Sequence, residues 1–179
     1  MSFALIANIG EFIGGIGVLC SLIFVGLQIR HNTESVRAST LQANTAYWTN
    51  FLTTVAQSEL VDTYGKGISG SNLDRKEFGQ FFLLTRAYFL GLENQHYQYA
   101  HGLLDSEKFA AYEIAVREQT FAFAGMRAMW EIVRHTYSPD FVTFVDRQIA
   151  IIAVHQDSVF DRWKTLAAAL KAAGATRST

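Results

Sequence analysis

The chain has very little of the two residues that most restrict a fold, proline and cysteine. Its 179 residues contain one of each. With so little proline, long stretches lack the residue that most strongly interrupts a helix, and this favours an all-α fold. The lone Cys20 has no partner for an intrachain disulfide, and so the cysteine count indicates no particular redox compartment.

An excess of charge of either sign is also missing. The 15 basic residues nearly balance the 16 acidic ones, and so no overall field attracts nucleic acid. We expect no nucleic-acid partner. The one Gly/Ser-rich segment of the body, residues 65–71 (GKGISGS), lacks the order of a phosphate-binding loop, and we predict a turn between helices there.

Recognisable catalytic and cofactor motifs are absent as well. No serine lies in a nucleophile motif, and neither does Cys20. A non-enzymatic role without a cofactor is therefore the favoured interpretation, although the sequence leaves the question of enzyme activity open.

One apolar stretch near the beginning of the chain stands out. Residues 12–29 (FIGGIGVLCSLIFVGLQI) contain no Asp, Glu, Lys, Arg or His. As a helix, about 18 residues extend roughly 27 Å, close to the roughly 30 Å of a bilayer's hydrocarbon core. The apolar character begins at Ala4, and we predict one transmembrane helix over residues 4–29. A helix buried in a soluble bundle is the alternative. A cleaved signal is disfavoured, since no Lys or Arg precedes Arg30 and no cleavage site follows the stretch.

The charges around this stretch predict its orientation. Glu11 is the only charged residue before it, whereas Arg30, His31 and Arg37 follow closely. Because basic residues remain on the cytoplasmic side, we expect the amino terminus outside and the body in the cytoplasm.

Small and polar residues share one side of the predicted span. At 100° per residue they fall, together with Glu11, within a sector of about 120°, and small residues allow helices to approach closely in lipid. We predict that this side, called the seam below, binds another transmembrane helix from a second copy or a partner subunit. A narrow pore formed by several copies is a weaker alternative. The seam residues are Ala7, Gly10, Gly14, Gly17, Ser21 and Gln28.

The rest of the chain predicts an antiparallel bundle of four long helices. The first covers 32–59 and continues the span with or without a bend at 32–33. The second begins after a cap at Ser71 or Asn72 and the third after a cap at Asp105 or Ser106. The fourth begins at Pro139, with Ser138 as its cap. We expect the last helix to end at Gly174. The predicted domains are an anchor (1–31), a bundle (32–174) and a disordered tail (175–179).

Two features of the body have a functional interpretation and a structural one. Glu93 and His96 form an ExxH pair, which di-iron bundles use twice together with further carboxylates. A second pair is missing, so a histidine at the edge of the core is favoured over a metal site. The aromatic side chains of the body form either an apolar ligand pocket or, more simply, a core.

Two segments of the chain resemble a known group of proteins. The sequence Gln28-Ile29-Arg30-His31-Asn32-Thr33 closes the apolar stretch, and the later segments 125–130 (GMRAMW) and 137–141 (YSPDF) follow in the body. Together they resemble a widespread group of uncharacterised bacterial proteins with an apolar anchor ending in a Q-I-R-x-N-T-like sequence. The resemblance implies a helical protein anchored in the bacterial inner membrane, and it implies no activity and no site residues.

The leading hypothesis is a single-pass membrane protein that acts as an assembly or accessory component. It associates with itself or with a membrane complex through its Gly-rich helix, in contact with the lipid bilayer. The alternatives are a membrane-tethered sensor for an apolar small molecule, an oligomeric pore, and a metal-dependent enzyme at Glu93 and His96.

Overall fold

The structure is a computed structural model that describes residues 3–155 and 159–175, with the side chains of 3–9, 58, 159 and 174–175 left out. The described residues form helices and no strand, which confirms the predicted all-α class. The helices are α1 (Phe3–Val55), α2 (Ser58–Ser69), α3 (Arg75–Ala100), α4 (Ser106–Ala115), α5 (Ala124–Val133), α6 (Pro139–Ile151) and α7 (Val159–Ala175). The predicted tail 175–179 lies outside the described residues after Ala175.

The chain forms two compact units, residues 1–45 and 46–179. The sequence left open whether the helix bends at residues 32–33. Helix α1 runs through this point without a break. The Thr33 hydroxyl donates to the carbonyl of Ile29 at 2.9 Å, so this polar group finds its partner within the helix. The predicted end of the anchor at residue 31 concerns the membrane boundary and stays a prediction.

Helix α3 begins later than the sequence suggested. The predicted caps Ser71 and Asn72 are wrong, and Asp74 is the cap. Its side chain accepts from the backbone N–H of Glu77 at 2.8 Å, and the Glu77 side chain accepts from the N–H of Asp74 at 2.9 Å. This reciprocal pair satisfies two N–H groups that a helix start leaves open. For α4, the sequence offered Asp105 or Ser106 as the cap, and Asp105 is the one observed, since its side chain accepts from the backbone N–H of Lys108 at 2.8 Å.

The predicted turn at 65–71 is mostly a helix. Residues up to Ser69 belong to α2, a helix that the sequence did not reveal as a separate element. The helix ends at Gly70, whose φ of 75° is left-handed. There the N–H of Gly70 donates to Gly67 C=O and that of Ser71 donates to Lys66 C=O. This hydrogen-bond pair is the one that closes many helices on a glycine.

An aromatic core holds the body together. Phe89, Phe121, Trp130 and Phe141 are completely buried, and the ring of Phe89 lies 5.7 Å from that of Phe121 and 5.5 Å from that of Trp130. Edge-to-face and offset contacts of this kind add to the free energy gained from burial. The other buried residues of the body include Phe81, Thr85, Leu92, Phe109, Tyr112, Val116 and Val145.

The two predicted long helices after residue 105 are each broken. The first becomes α4, a π-helical turn over Val116–Thr120, and α5. The second becomes α6 and α7, separated by residues 152–158. The four long helices expected in the body are therefore wrong in number and in length.

Arg127 connects the two breaks. Its guanidinium donates to the carbonyl of Phe121, at 2.6 Å, and to that of Ile152. The N–H of His155 donates to Ala122 C=O at 2.7 Å. Carbonyls that have left a helix thus find partners within the body, so that the interruptions leave few buried backbone groups unpaired.

Helix α7 does not pack as predicted. In the predicted bundle, where the chain after Ser138 forms one long helix, large apolar residues such as Trp163, Leu166 and Leu170 would face the core. Each of them is instead more than three-fifths exposed. Among the described side chains of α7, only Ala167 is partly buried and the others are exposed.

Candidate functional site

The apolar part of α1 is uncovered. Within the described residues, α1 is the one helix that is long and apolar enough to cross a membrane. Its most apolar part is not buried against the rest of the protein. Phe12 is 71% exposed and Leu22 63% exposed. A core helix of a soluble bundle buries most of its apolar surface, and this stretch of α1 does not.

The seam predicted on α1 is open along the described residues. A Cβ added at Gly10, Gly14 or Gly17 would meet no atom within 4 Å. Ser21 and Gln28 are exposed on the same helix. The side chain of Ala7, the first predicted seam residue, lies outside the described residues. The seam therefore has room for the backbone of a second helix to approach.

Ser21 is not an unpaired polar group. Its hydroxyl donates to the carbonyl of Gly17 at 2.8 Å, one turn earlier in the same helix. This bond lowers the cost of placing the hydroxyl in lipid, because the donor is already satisfied. Ser21 therefore contributes to the seam through its small size more than through a need for a partner.

The structure also shows a shallow groove on α1 that the sequence reasoning missed. It surrounds Gly15 and is lined by Glu11, Phe12, Ile16 and Leu19. At 100° per residue, Gly15 lies about 100° from Gly14 and so outside the predicted seam. The sequence contains a hint of this groove. Gly15 does not fit the 3- and 4-residue spacing of the seam, and it lies one helical turn after Glu11.

Glu93 and His96, the two candidate metal ligands, lie beside an open cleft of about 460 Å³ at the start of α6. The carboxylate of Glu93 accepts from the backbone N–H of Ser138 at 2.8 Å. Ser138 itself makes no side-chain cap. The start of a helix at Pro139 was predicted correctly. The backbone N–H of Ser138, just before that helix, is satisfied by the Glu93 side chain of α3.

His96 packs against aromatic rings at the edge of the core. Its ring lies 4.9 Å from that of Phe144 and 5.8 Å from that of Phe141. Within the described part of the chain, no three His, Cys, Asp or Glu side chains are grouped closely enough to hold a metal ion. The geometry fits a histidine at the edge of the core, and it supplies no argument for metal chemistry at Glu93 and His96.

The pKa of His96 predicts a pH dependence of stability. Burial lowers this pKa below its ordinary value, against the opposing charges of Asp140 and Glu93. The folded chain thus favours the neutral ring, and the unfolded chain binds the proton more readily. Stability from this group is present above about pH 6.5 and is lost as the pH falls below it. We expect His96→Gln to reduce the fall in unfolding free energy between neutral and mildly acidic pH, measured by urea denaturation. An identical fall in both proteins would contradict this assignment.

The aromatic rings that suggested a ligand pocket mostly pack against one another. Phe89, Phe121 and Trp130 are fully buried in mutual contact. Tyr112 donates its hydroxyl to the carbonyl of Leu92 at 2.9 Å, and the hydroxyls of Tyr88 and Thr120 bond at 2.8 Å. These contacts are what a packed core requires, and they give the pocket hypothesis no specific support.

The features of this chain with the clearest functional content are therefore the exposed span and its open seam. Comparison of the chain with protein-family models, with curated proteins and with solved structures returned no match.

Proposed function

We propose that this protein is a single-pass component of the bacterial inner membrane and that it serves assembly rather than catalysis. Helix α1 crosses the bilayer and binds another transmembrane helix through the seam, either from a second copy or from a partner subunit. The observation that carries the proposal is the exposed apolar surface of α1, with open space at its seam glycines. The bacterial setting rests on the resemblance of the segment around Gln28-Ile29-Arg30.

The chemistry of the seam suits helix association in lipid. Lipid tails are as apolar as leucine, so helices associate there through close packing and interhelical hydrogen bonds. Gly10, Gly14 and Gly17 offer a surface without side chains. Gln28 lies on the same side and carries an amide that bonds more favourably to a partner helix than to lipid.

The seam is tested by filling it. We expect Gly14→Leu and Gly17→Leu each to weaken association roughly 10- to 100-fold, because overpacking a close contact costs about 1–3 kcal/mol. The measurement is the native mass in mild detergent, followed over a dilution series. A multiple of the 20.0 kDa chain identifies a homo-oligomer, and co-migrating subunits identify a partner.

Gly26→Leu is the matched control. It makes the same substitution in the same helix, and its Cβ also meets no atom within 4 Å. At 100° per residue it lies about 120° from Gly14, outside the seam. We expect Gly26→Leu to assemble like the wild type. Intact assembly in the Gly14 and Gly17 variants would refute the seam, and a monomeric wild type would refute the assembly role.

The proposed orientation places the amino terminus outside and the body in the cytoplasm, supported by Arg30, His31 and Arg37 after the span. Lys76, an exposed residue of the body, provides a reporter. In a Cys20→Ser background, we expect Lys76→Cys to escape a membrane-impermeant maleimide in intact spheroplasts and to react after lysis. Labelling of intact spheroplasts would reverse the orientation.

A further inference from the structure

Helix α7 exposes an apolar stripe that nothing in the described chain covers. Phe160, Trp163 and Leu166 are each 63% exposed and Leu170 is 73% exposed. Isolated large apolar residues are common on protein surfaces, but four on one short helix form a patch that indicates an interaction.

The helix has no packing of its own that would explain its stability. It spans 17 residues, and in proteins most helical stability comes from packing an apolar face rather than from intrinsic propensity. Every described side chain except Ala167 is exposed. The apolar stripe is therefore available to a surface outside the described body of the chain.

Basic residues flank the stripe on both sides. At 100° per residue, Trp163, Leu166 and Leu170 fall within about 60°, and Phe160 lies about 60° outside that sector, on the side of Lys164. Arg162 lies about 40° beyond one edge of that sector, and Lys164 and Lys171 lie about 80–100° beyond the other. Lys164 extends its ammonium over the ring of Phe160, 5.2 Å from the centroid, at this edge.

We propose that α7 lies flat on the membrane surface, with its stripe among the acyl chains and its flanking cations at anionic lipid headgroups. A helix with Trp, Phe and Leu on one face and Lys and Arg beside them has the composition of an interfacial helix. A second copy is the less suitable occupant, because two such stripes in contact would bring Arg162, Lys164 and Lys171 of both copies close together. The proposal uses the bilayer that the proposed span of α1 already supplies.

The test places a spin label on the full-length protein in phosphatidylcholine vesicles, with and without phosphatidylglycerol. Labels are attached to the native Cys20, and to Leu166→Cys or Ala168→Cys in a Cys20→Ser background. Ala168 lies on the opposite face of α7, about 200° from Leu166, and is the matched control. Both substituted positions are exposed, so neither substitution disturbs the core.

We expect the ratio of oxygen to nickel-chelate accessibility to be several-fold higher at Leu166 than at Ala168, and to fall at Leu166 when phosphatidylglycerol is omitted. Equal ratios at the two sites, with Cys20 in lipid, would overturn the interfacial role and leave the span intact. Low accessibility to both reagents with spin–spin broadening at Leu166 would also overturn it, in favour of a second copy. A water-exposed Cys20 would refute the span, while a lipid-exposed Leu166 would still support the role of α7.

Discussion

Gly125→Ala is expected to destabilise the body by about 3 kcal/mol or more, at the upper end of the range for overpacking. Helices α2 and α5 touch through their backbones at this position. A Cβ on Gly125 would overlap the carbonyl oxygen of Gly67, and it would also crowd the carbonyl of Ile68. Because these atoms are backbone, no side chain can rotate away, and α2 has to shift. Urea denaturation of the detergent-solubilised protein, followed by tryptophan fluorescence, measures the loss.

Gly79→Ala is the matched control for this prediction. Gly79 lies inside α3, and a Cβ there meets nothing within 4 Å. Alanine in a helix interior is favoured over glycine by roughly 0.5–1 kcal/mol, so we expect a small gain in stability. If Gly125→Ala unfolds at the same urea concentration as the wild type, the backbone contact between α2 and α5 does not exist in solution.

The second large effect concerns membrane integration. We expect the double variant Leu19→Arg/Ile23→Arg to lose it. Both residues lie near the centre of the apolar stretch 12–29, and each arginine there costs about 3 kcal/mol relative to the aliphatic residue. Together they shift the insertion equilibrium by roughly four orders of magnitude. The measurement is the fraction of protein that resists carbonate extraction from membranes.

Val36→Arg/Leu41→Arg makes the same change in the same helix beyond the proposed span. Both residues are exposed, and we expect this variant to remain in the membrane fraction. If the Leu19/Ile23 variant resists extraction equally well, α1 does not span a bilayer, and the proposed assembly role fails with it.

Some of the fold could be read directly from the chain. A single proline and periodic apolar residues predicted the all-α class. The buried residues Phe81, Thr85 and Phe89 of α3 recur every four residues, a helical spacing that is visible in the sequence itself. The start of α4 was located to within one residue, at Asp105 or Ser106, and the cap observed is Asp105. These features depend on neighbours within a turn or two, which is why the sequence was enough.

The helix breaks could not be predicted in this way. Neither the segment 121–123 nor the segment 152–155 contains glycine or proline, so the apolar pattern runs through both without interruption. The breaks are stabilised by partners distant in the chain: Arg127 donates to the carbonyls of Phe121 and Ile152, and His155 donates to Ala122. Hydrogen bonds of this kind replace helical ones only once the tertiary contacts exist.

The candidate site was likewise predicted only in part from the sequence. The positions of Gly10, Gly14 and Gly17 on one side of α1 follow from helix geometry alone. Whether that side is covered depends on the rest of the chain, and the structure leaves these glycines open. Glu93 offers the opposite case. Its spacing from His96 resembled a metal-binding pair, but the fold brings it to the N–H of Ser138 instead.

The sequence by itself determined the helical class, the apolar span over residues 12–29 and the faces that form the core, because these depend on composition and local spacing. The tertiary structure decided where the long helices break, how closely Gly125 approaches Gly67, and that the stripe of α7 is left without a covering surface. Those features depend on contacts between residues far apart in the chain, and local sequence patterns do not predict such contacts.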